Sequence, residues 1–517
     1  MSDSPTPFPR RITVDAVHAI FDAHATRRIE QAMAAQLPPH TLMQRAGQAV
    51  ARLALAIAPH ARNAWVVCGA GNNGGDGLEA ACHLHRAGCA VTVTWLGHHD
   101  TVPPDARASY QRALAAGVGF ADGPPPSIGP DDVCVDALLG IGLASSSSSS
   151  KSREPNTALQ RLIVQMHATP ATVVCVDTPS GLSADTGQFA PGLEPPEGPA
   201  ASPRHTLALL TLKPGLFTAA GRDAAGQIWL HDLGADLSRA EPCAWLSAPP
   251  RAVRRAHTSH KGSYGDVAVI GGEGLRARGM GMTGAALLAA SAALHGGAGR
   301  VMVSLLDGAE LSVDALQPEC MLRRFDVLPL DHGAVVCGCG GGEAVRSVLE
   351  PVLTQAHRLV LDADALNAVA GDPSLAAALK ARAGRGWHTV LTPHPLEAAR
   401  LAGLKTNDIQ ADRLAAANGL ARQFECTVVL KGSGTIIAAP DCTPRINPTG
   451  NARLATGGTG DVLAGLLGAR LAAAADTPQA AFDAAVSACW LHGRVADQWP
   501  PDTALTASAL ARRLHSG

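Results

Sequence analysis

The sequence predicts an α/β protein of two three-layer αβα domains, and three observations carry that reading. Short apolar runs of strand character alternate with helical patterns along the chain, the signature of βαβ units around parallel sheets. Glycine-rich segments stand directly after several of these runs, where a strand turns into a helix and backbone amides can approach a ligand. With 517 residues, the chain is long enough for more than one core. A stretch mixing Pro, Arg and Ala at Leu233–His257 divides it into an N-terminal domain at 1–235, a linker at 236–255 and a C-terminal domain at 256–517.

In the first half, Ala64–Cys68, Ala90–Trp95, Val133–Val135 and Val173–Val176 read as buried strands, with helices at Leu78–Ala87 and Asp105–Ala116 between them. Helical segments at Val14–Ala35 and Leu42–Ala58 precede the first strand. In the second half, Val267–Ile270, Val301–Ser304, Val335–Cys337, Leu359–Leu361, Thr389–Leu391 and Thr427–Leu430 repeat the theme, with helices at Ala285–Leu294 and Val462–Ala475. Met282–Ala298 is the most membrane-like stretch, but its Ala, Gly and His295 suit a buried core helix. The serine run Ser145–Ser150 and the Pro/Gly/Ala-rich Gln188–Arg204 are expected to be mobile loops.

Composition excludes several classes. The 42 Lys+Arg against 44 Asp+Glu give a net charge of -2, and only 3% of residues are aromatic, so neither a basic surface nor stacking platforms for nucleic acid are available. The 12 cysteines show no paired metal-ligand spacing, Cys337 and Cys339 forming only an isolated C-x-C. That pattern fits a reduced, cytoplasmic protein. Met1–Arg11 is polar and lacks an apolar core, so no signal peptide is read. No membrane partner is expected, and a homo-oligomer is.

The first chemistry-bearing segment is Gly69-Ala70-Gly71-Asn72-Asn73-Gly74-Gly75-Asp76-Gly77, after the strand ending at Cys68. Its start satisfies G-x-G-x-x-G, which places diphosphate oxygens against a helix N-terminus in Rossmann-like domains. A dinucleotide turn usually continues with apolar residues, whereas here Asn72, Asn73 and Asp76 cluster; amides and a carboxylate suit ribose hydroxyls, proton transfer or a hard cation. A plain Asn/Asp-rich turn capped by Asp76 is the simpler reading, but such a turn needs fewer glycines. Asp136-Ala137-Leu138-Leu139-Gly140-Ile141-Gly142 and Asp177-Thr178-Pro179-Ser180-Gly181 stand at two further strand ends. Ligands of open α/β sheets bind at such ends, so the three loops are expected to converge. Asn73, Asp136 and Ser180 then offer oxygen ligands to a monovalent cation.

These segments, followed by Leu212-Lys213-Pro214-Gly215, resemble the NAD(P)H-hydrate epimerase family over about residues 12–235. The resemblance implies substrate contacts from Asn72, Asn73, Gly74, Gly75, Asp76, Gly140, Ile141, Gly142, Leu143, Ala144, Ser145, Ser146 and Asp177. It also implies Asp177 as acid/base residue, and K+ at Asn73, Asp136 and Ser180. The chain departs from the pattern after Leu143, running into serines where relatives carry a basic and apolar loop.

In the second half, Ala455-Thr456-Gly457-Gly458-Thr459-Gly460-Asp461 opens a helix. Glycine-backed amides there form an anion hole for a phosphoryl group in transfer, and Asp461 can take the proton of the attacking hydroxyl. Lys431-Gly432-Ser433-Gly434-Thr435 follows a strand and suits nucleotide phosphates, although a plain turn with an exposed Lys accounts for it equally well. Gly338-Cys339-Gly340-Gly341-Gly342 is a bare loop open to close ligand approach, and Thr392-Pro393-His394-Pro395 presents a histidine rigidly. Leu361–Asn367 adds groups able to bind Mg2+ or orient a hydroxyl.

Together with His260-Lys261-Gly262-Ser263-Tyr264-Gly265, these motifs are similar in order to the NAD(P)H-hydrate dehydratase family, of ribokinase-like fold, over about residues 250–510. The resemblance implies hydrate contacts at Ala285, Gly340, His394 and Asp461, nucleotide contacts at Lys431, Gly432, Ser433, Gly434, Thr435 and Gly460, and Asp461 as base. Mg2+ and ADP as phosphoryl donor complete the set. Leu396 stands where relatives commonly have Gly, Cys339 stands where Pro is usual, and an insertion at Glu273–Gly281 lengthens a loop. The expected whole is a fused repair enzyme that epimerises NAD(P)H hydrate and dehydrates its S form. Two alternatives stand beside it: a small-molecule kinase of the vitamin-kinase type, and a non-catalytic N-terminal binding module on a working enzyme.

Overall fold

A computed structural model describes residues 8–98, 101–142, 157–251, 256–276, 278–309 and 311–514. The serine run and the four residues 143–146 lie outside the described residues. The chain forms two units, one holding His18–Ala244 and the residues up to Thr13, the other Val14–Val17 and the residues from Trp245 onward.

The N-terminal unit is built on an eight-stranded sheet. Its order runs Arg10–Arg11, Gln227–His231, Arg204–Leu209, Thr172–Val176, Val133–Ala137, Asn63–Cys68, Ala90–Trp95, Gly119–Phe120. All neighbours pair in parallel except the first two. From Asn63–Cys68 the chain moves outward to Ala90–Trp95 and then returns to lay Val133–Ala137 on the other side. That reversal opens a crevice at the strands' C-terminal ends, where Gly69–Asp76 and Asp136–Gly142 stand. Strands buried on both faces are apolar throughout, as Trp65, Val66, Val67 and Cys68 show.

The C-terminal unit repeats the device. Its sheet runs Met321–Leu322, Arg300–Leu306, Asp266–Glu273, Ala334–Cys337, Arg358–Leu361, His388–Leu391, Thr427–Leu430 in parallel, then Ile436–Ala439 and Cys442–Ile446 antiparallel. The reversal falls between Asp266–Glu273 and Ala334–Cys337. Helices Thr283–His295 and Thr459–Ala473 are apolar nearly all round and lie in the core. No described helix is long and apolar enough to cross a membrane, Met282–Ala298 included.

Three expectations need correction. Val14–Ala35 is not one helix: His18–Ile20 is a strand, and the helix begins at Ala23, capped by Asp22. The β-branched and aromatic run Ile20-Phe21, fully buried, wins over the helical pattern. Gln188–Arg204 is irregular as expected, but it is pinned: Ala190 N–H donates to Gly181 O at 2.8 Å, Ala201 N–H to His167 O at 3.0 Å, and Leu193 is buried. The glycine loops are also shorter than read, because the helices start at Asn72 and Thr459. Asn72–Gly75 therefore form a first helical turn with Asp76 just beyond it, and Gly460–Asp461 lie in the first turn of the other.

Helices Thr283–His295 and Thr459–Ala473 meet through small residues, and a Cβ at Gly465 would overlap the Ala289 carbonyl. Gly465→Ala should destabilise the C-terminal unit by about 1–3 kcal/mol, the usual overpacking cost. Gly419→Ala, on an exposed helix face with open space around it, should instead stabilise by about 1 kcal/mol. Denaturant midpoints of the two variants check both signs.

Candidate functional site

Each unit gathers its chemistry at the ends of its parallel strands. In the N-terminal unit a cavity of about 610 Å³ is lined by Asn72, Asn73, Asp76, Gly140, Ile141, Gly142 and Asp177. The structure thus brings together seven of the residues expected to touch substrate. Gly74 and Gly75 are not among them. They are buried packing positions, where a Cβ would strike the Gly69 carbonyl or the Met43 thioether. Glu30, Arg27 and Asp105 also face the cavity, and nothing in their local sequence singles them out.

Asp177 follows strand Thr172–Val176 with a left-handed backbone, φ 67°. Its carboxylate accepts from Leu209 N–H at 3.0 Å and from the ammonium of Lys213, which also donates to Leu209 O at 2.7 Å. Lys213 is 0% exposed. Asp177 is therefore an anchored carboxylate with a buried counter-charge. Asp76 is the opposite: burial first, then the charges of Asp177, Glu30, Glu79 and Asp105, hold its carboxyl well above the ordinary range. Burial and the Asp177 charge push Glu30 up as well. The cavity so combines a carboxylate paired with a buried lysine and a carboxyl pushed toward its protonated form.

Asp136 and Ser180 are adjacent: Ser180 Oγ donates to Asp136 Oδ1 at 2.5 Å, and Ser180 N–H to Oδ2 at 3.0 Å. Both are buried, and Leu138 N–H and the Cys175 thiol also approach Asp136, so among the described residues its donors are neutral. Asn73 packs beside Gly140, and its side-chain nitrogen is buried without a partner among the described residues. Asn73 lines the first cavity, whereas Asp136 and Ser180 line a neighbouring one of about 600 Å³.

In the C-terminal unit Asp461 sits in the first turn of helix Thr459–Ala473, behind Gly458 at φ 91°. The turn is fixed by Thr459, whose hydroxyl donates to Leu454 O and Thr456 O. His492, fully buried and pushed down to about 4 mainly by that burial, is neutral and donates Nε2–H to Thr459 O at 3.0 Å. Burial first, then the charge of Asp362, raises the Asp461 carboxyl to about 7.

Lys431 is not an exposed turn lysine. Its ammonium lies 2.8 Å from Asp362 Oδ1, which Thr392 Oγ1 also approaches at 2.7 Å. Burial opposes the charge on Lys431, but Asp362 and Glu397 outweigh it and hold the amine above its usual value. A Cβ on Gly460 would stand 3.5 Å from that ammonium, so Lys431, Gly460 and Asp362 share one corner. Gly432, Ser433, Gly434 and Thr435 continue from it. Buried Arg413, unremarked in the sequence, donates to the Leu430 and Lys431 carbonyls and holds this loop's start. Gly340 abuts Ala285, at 2.8 Å from an added Cβ. His394 caps helix Pro395–Ala402: Nδ1 accepts from Leu396 N–H, and Nε2 lies 3.1 Å from Glu397 Oε1. Both ring nitrogens are thus engaged within the cap.

The loop Gly338–Gly342 is braced at its C-terminal end. Gly342 N–H donates to Asp364 Oδ2, and Glu343 and Ala344 N–H just beyond it donate to Glu273 Oε1, so the chain's own carboxylates hold that end. Within Leu361–Asn367 the roles divide: Asp362 faces Asp461, Asp364 braces this loop, and Asn367 accepts from Arg400.

Residues 267–516 match the NAD(P)H-hydrate dehydratase family, and residues 39–215 match the family described as YjeF-related protein N-terminus. The bifunctional NAD(P)H-hydrate repair enzyme of Escherichia coli is 33% identical over 94% of this chain and 90% of its own length. The ADP-dependent (S)-NAD(P)H-hydrate dehydratase of Neisseria meningitidis is 42% identical, covering 50% of this chain and 84% of its own. A solved ADP/ATP-dependent NAD(P)H-hydrate dehydratase from Bacillus subtilis is 31% identical over 51% of this chain and 91% of that one, with a TM-score of 0.41. With one relative matched over nearly the whole of both chains, the protein belongs to the bifunctional NAD(P)H-hydrate repair enzyme family.

Proposed function

We propose that the N-terminal unit interconverts the R and S epimers of NAD(P)H hydrate and that the C-terminal unit dehydrates the S form with a nucleotide's terminal phosphoryl group. The observation that carries this reading is Asp461: a carboxyl tuned to about 7, set in a glycine-backed first helical turn beside the Lys431–Asp362 pair.

For dehydration, Asp461 takes the proton of the C6 hydroxyl as that oxygen attacks the terminal phosphorus. The amides of the first helical turn and the Lys431 ammonium face the charge that develops. The nicotinamide nitrogen then expels the phosphate from C6, and loss of the C5 proton restores the double bond. ADP leaves as AMP, and the water's oxygen departs in the phosphate. ADP as donor is supported by the name of the Neisseria relative. Mg2+ fits a single carboxylate with room for phosphate oxygens and waters. Asp362 Oδ2 would hold it, Oδ1 being taken by Lys431 and Thr392 and Asp461 staying free to take the proton. Bound there, it would neutralise charge on the nucleotide phosphates.

For epimerisation, protonated Asp76 donates to the departing C6 hydroxyl while the ring nitrogen supplies electrons. Water then adds to the opposite face and gives its proton to Asp177, and solvent resets the two acids. K+ fits the buried Asp136 carboxylate, whose donors among the described residues are all neutral. Asp136, Ser180 Oγ and the Asn73 amide oxygen would hold it, and its charge would offset that of Asp136.

Mixed epimers with ADP should regain the reduced-nicotinamide absorbance completely; recovery of the S fraction alone would remove the epimerase. Asp461→Asn should slow dehydration by about 10²–10⁴ and leave epimerisation intact. Because the base must be ionised, kcat/KM for dehydration should fall about tenfold per pH unit below the Asp461 value; a flat profile from pH 5 to 8 would exclude Asp461 as base. Lys213→Met strands the Asp177 charge and should cost about 3–5 kcal/mol together with epimerase activity. Adding Asp177→Asn should return the stability but not the activity, read by thermal unfolding and epimer exchange.

A further inference from the structure

The thiol of Cys339 exchanges no proton or group in the chemistry above, yet it hydrogen-bonds Asp461 and stands among the groups that perform it. Positive-φ Gly338 and Gly340 fold the chain back after strand Ala334–Cys337 and put the side chain at 0% exposure. Its Sγ lies 3.8 Å from Asp362 Oδ2, a long contact for a weak donor. Sγ and one carboxylate oxygen each from Asp362 and Asp461 all fall within 4.8 Å of one another. Asp362 approaches with Oδ2, because Lys431 and Thr392 occupy Oδ1. Of the three residues Asp461 alone is partly exposed, which leaves an open side for entry and for a fourth ligand.

We propose that Cys339, Asp362 and Asp461 form a binding site for a thiophilic divalent cation of the Zn2+ class. A set of one sulfur and two carboxylate oxygens with an open position is a zinc-type donor set, whereas Mg2+ takes oxygen alone and keeps its waters. Bonds of about 2.3 Å to sulfur and about 2.0 Å to oxygen place tetrahedral ligand atoms about 3.5 Å apart. Rotation of Asp461, the exposed member, closes the present spread. On binding, the ion forms one metal–sulfur and two metal–oxygen bonds and releases the thiol proton to solvent; nothing is oxidised or reduced. The ion would then occupy Asp461 and stop dehydration while epimerisation continues. That consequence rests on the function proposed above, but the binding does not.

Co2+ tests the binding by itself. Full-length reduced protein, free of nucleotide and Mg2+, should take up one Co2+ per chain. A thiolate-to-cobalt charge-transfer band should appear in the near ultraviolet, and equimolar Zn2+ should remove it. Cys339→Ala should lose the band, and Cys339→Ser should lose it while still binding an ion more weakly. An unchanged thermal transition and retained epimer exchange show that the variants are folded. The absence of stoichiometric uptake would overturn the proposal. So would a band surviving in Cys339→Ala, since it would place the sulfur among the other cysteines. In the wild-type enzyme Zn2+ should inhibit dehydration in excess Mg2+ at least tenfold more strongly than in Cys339→Ser. Binding without inhibition would leave the site standing and count against Asp461 as base.

Discussion

A carboxylate withdrawn from water stays ionised only beside a partner, and each unit satisfies that constraint with a lysine–aspartate pair at a strand end. Lys213 anchors Asp177 in one, and Lys431 anchors Asp362 in the other. The desolvation of such a pair costs several kcal/mol, and removing one member leaves the other stranded. The pair does more than neutralise itself. It fixes a negative charge next to a second aspartate near the start of a helix, Asp76 or Asp461, and that neighbour is pushed toward its protonated form. The two units thus reach a tuned carboxyl by the same physical route, on different topologies. Helix N-termini would favour ionised aspartates in water; burial and the adjacent charge outweigh the dipole here.

The degree of that push separates the two roles. Asp76 has four carboxylates acting on it besides burial and is held well above the ordinary range. It is suited to donate a proton. Burial raises Asp461 first, and Asp362 and Asp364 add to it, but Lys431 and the Cys339 contact act in the opposite direction, and the balance settles near 7. A group poised there can accept a proton from a hydroxyl and is still ionised in part at neutral pH.

Much of this was legible in the sequence, and the parts that were not share a cause. A strand buried throughout announces itself as an apolar run, so Thr427–Leu430 falls where the pattern puts it, whereas the partly buried Ala90–Trp95 shows as an alternation of Val and Thr. Asp461 and Asp177 were legible because glycines and a proline mark the turns that carry them. Helix starts were not, because Asn72 and Thr459 open their helices without an apolar residue to set the period. The fully buried state of Lys213 has no local signal at all: Leu212-Lys213-Pro214 reads as an ordinary turn, and only the long-range approach of Asp177 makes burial tolerable. Arg413 and His492 were hidden for the same reason, since each acts on a loop distant in sequence.

Glycine count proves a poor guide to phosphate sites, and the two loops of the C-terminal unit show why. Gly338–Gly342 has three positive-φ glycines and the concave backbone of an anion nest. Yet Glu273 and Asp364 reach it first, and Glu273, fully buried, is held below the usual carboxylate range by Arg278 and these amides despite its burial. An anion supplied by the chain itself is always present, so that loop is a brace. The first turn at Gly460–Asp461 differs in one respect: among the described residues no side chain accepts from those N–H groups, and a helix start leaves them without intrahelical partners. A glycine turn is open to a phosphoryl group when no carboxylate of the chain accepts from its amides. By that criterion the open turn is the one at Asp461, with the Glu273 loop holding its flank.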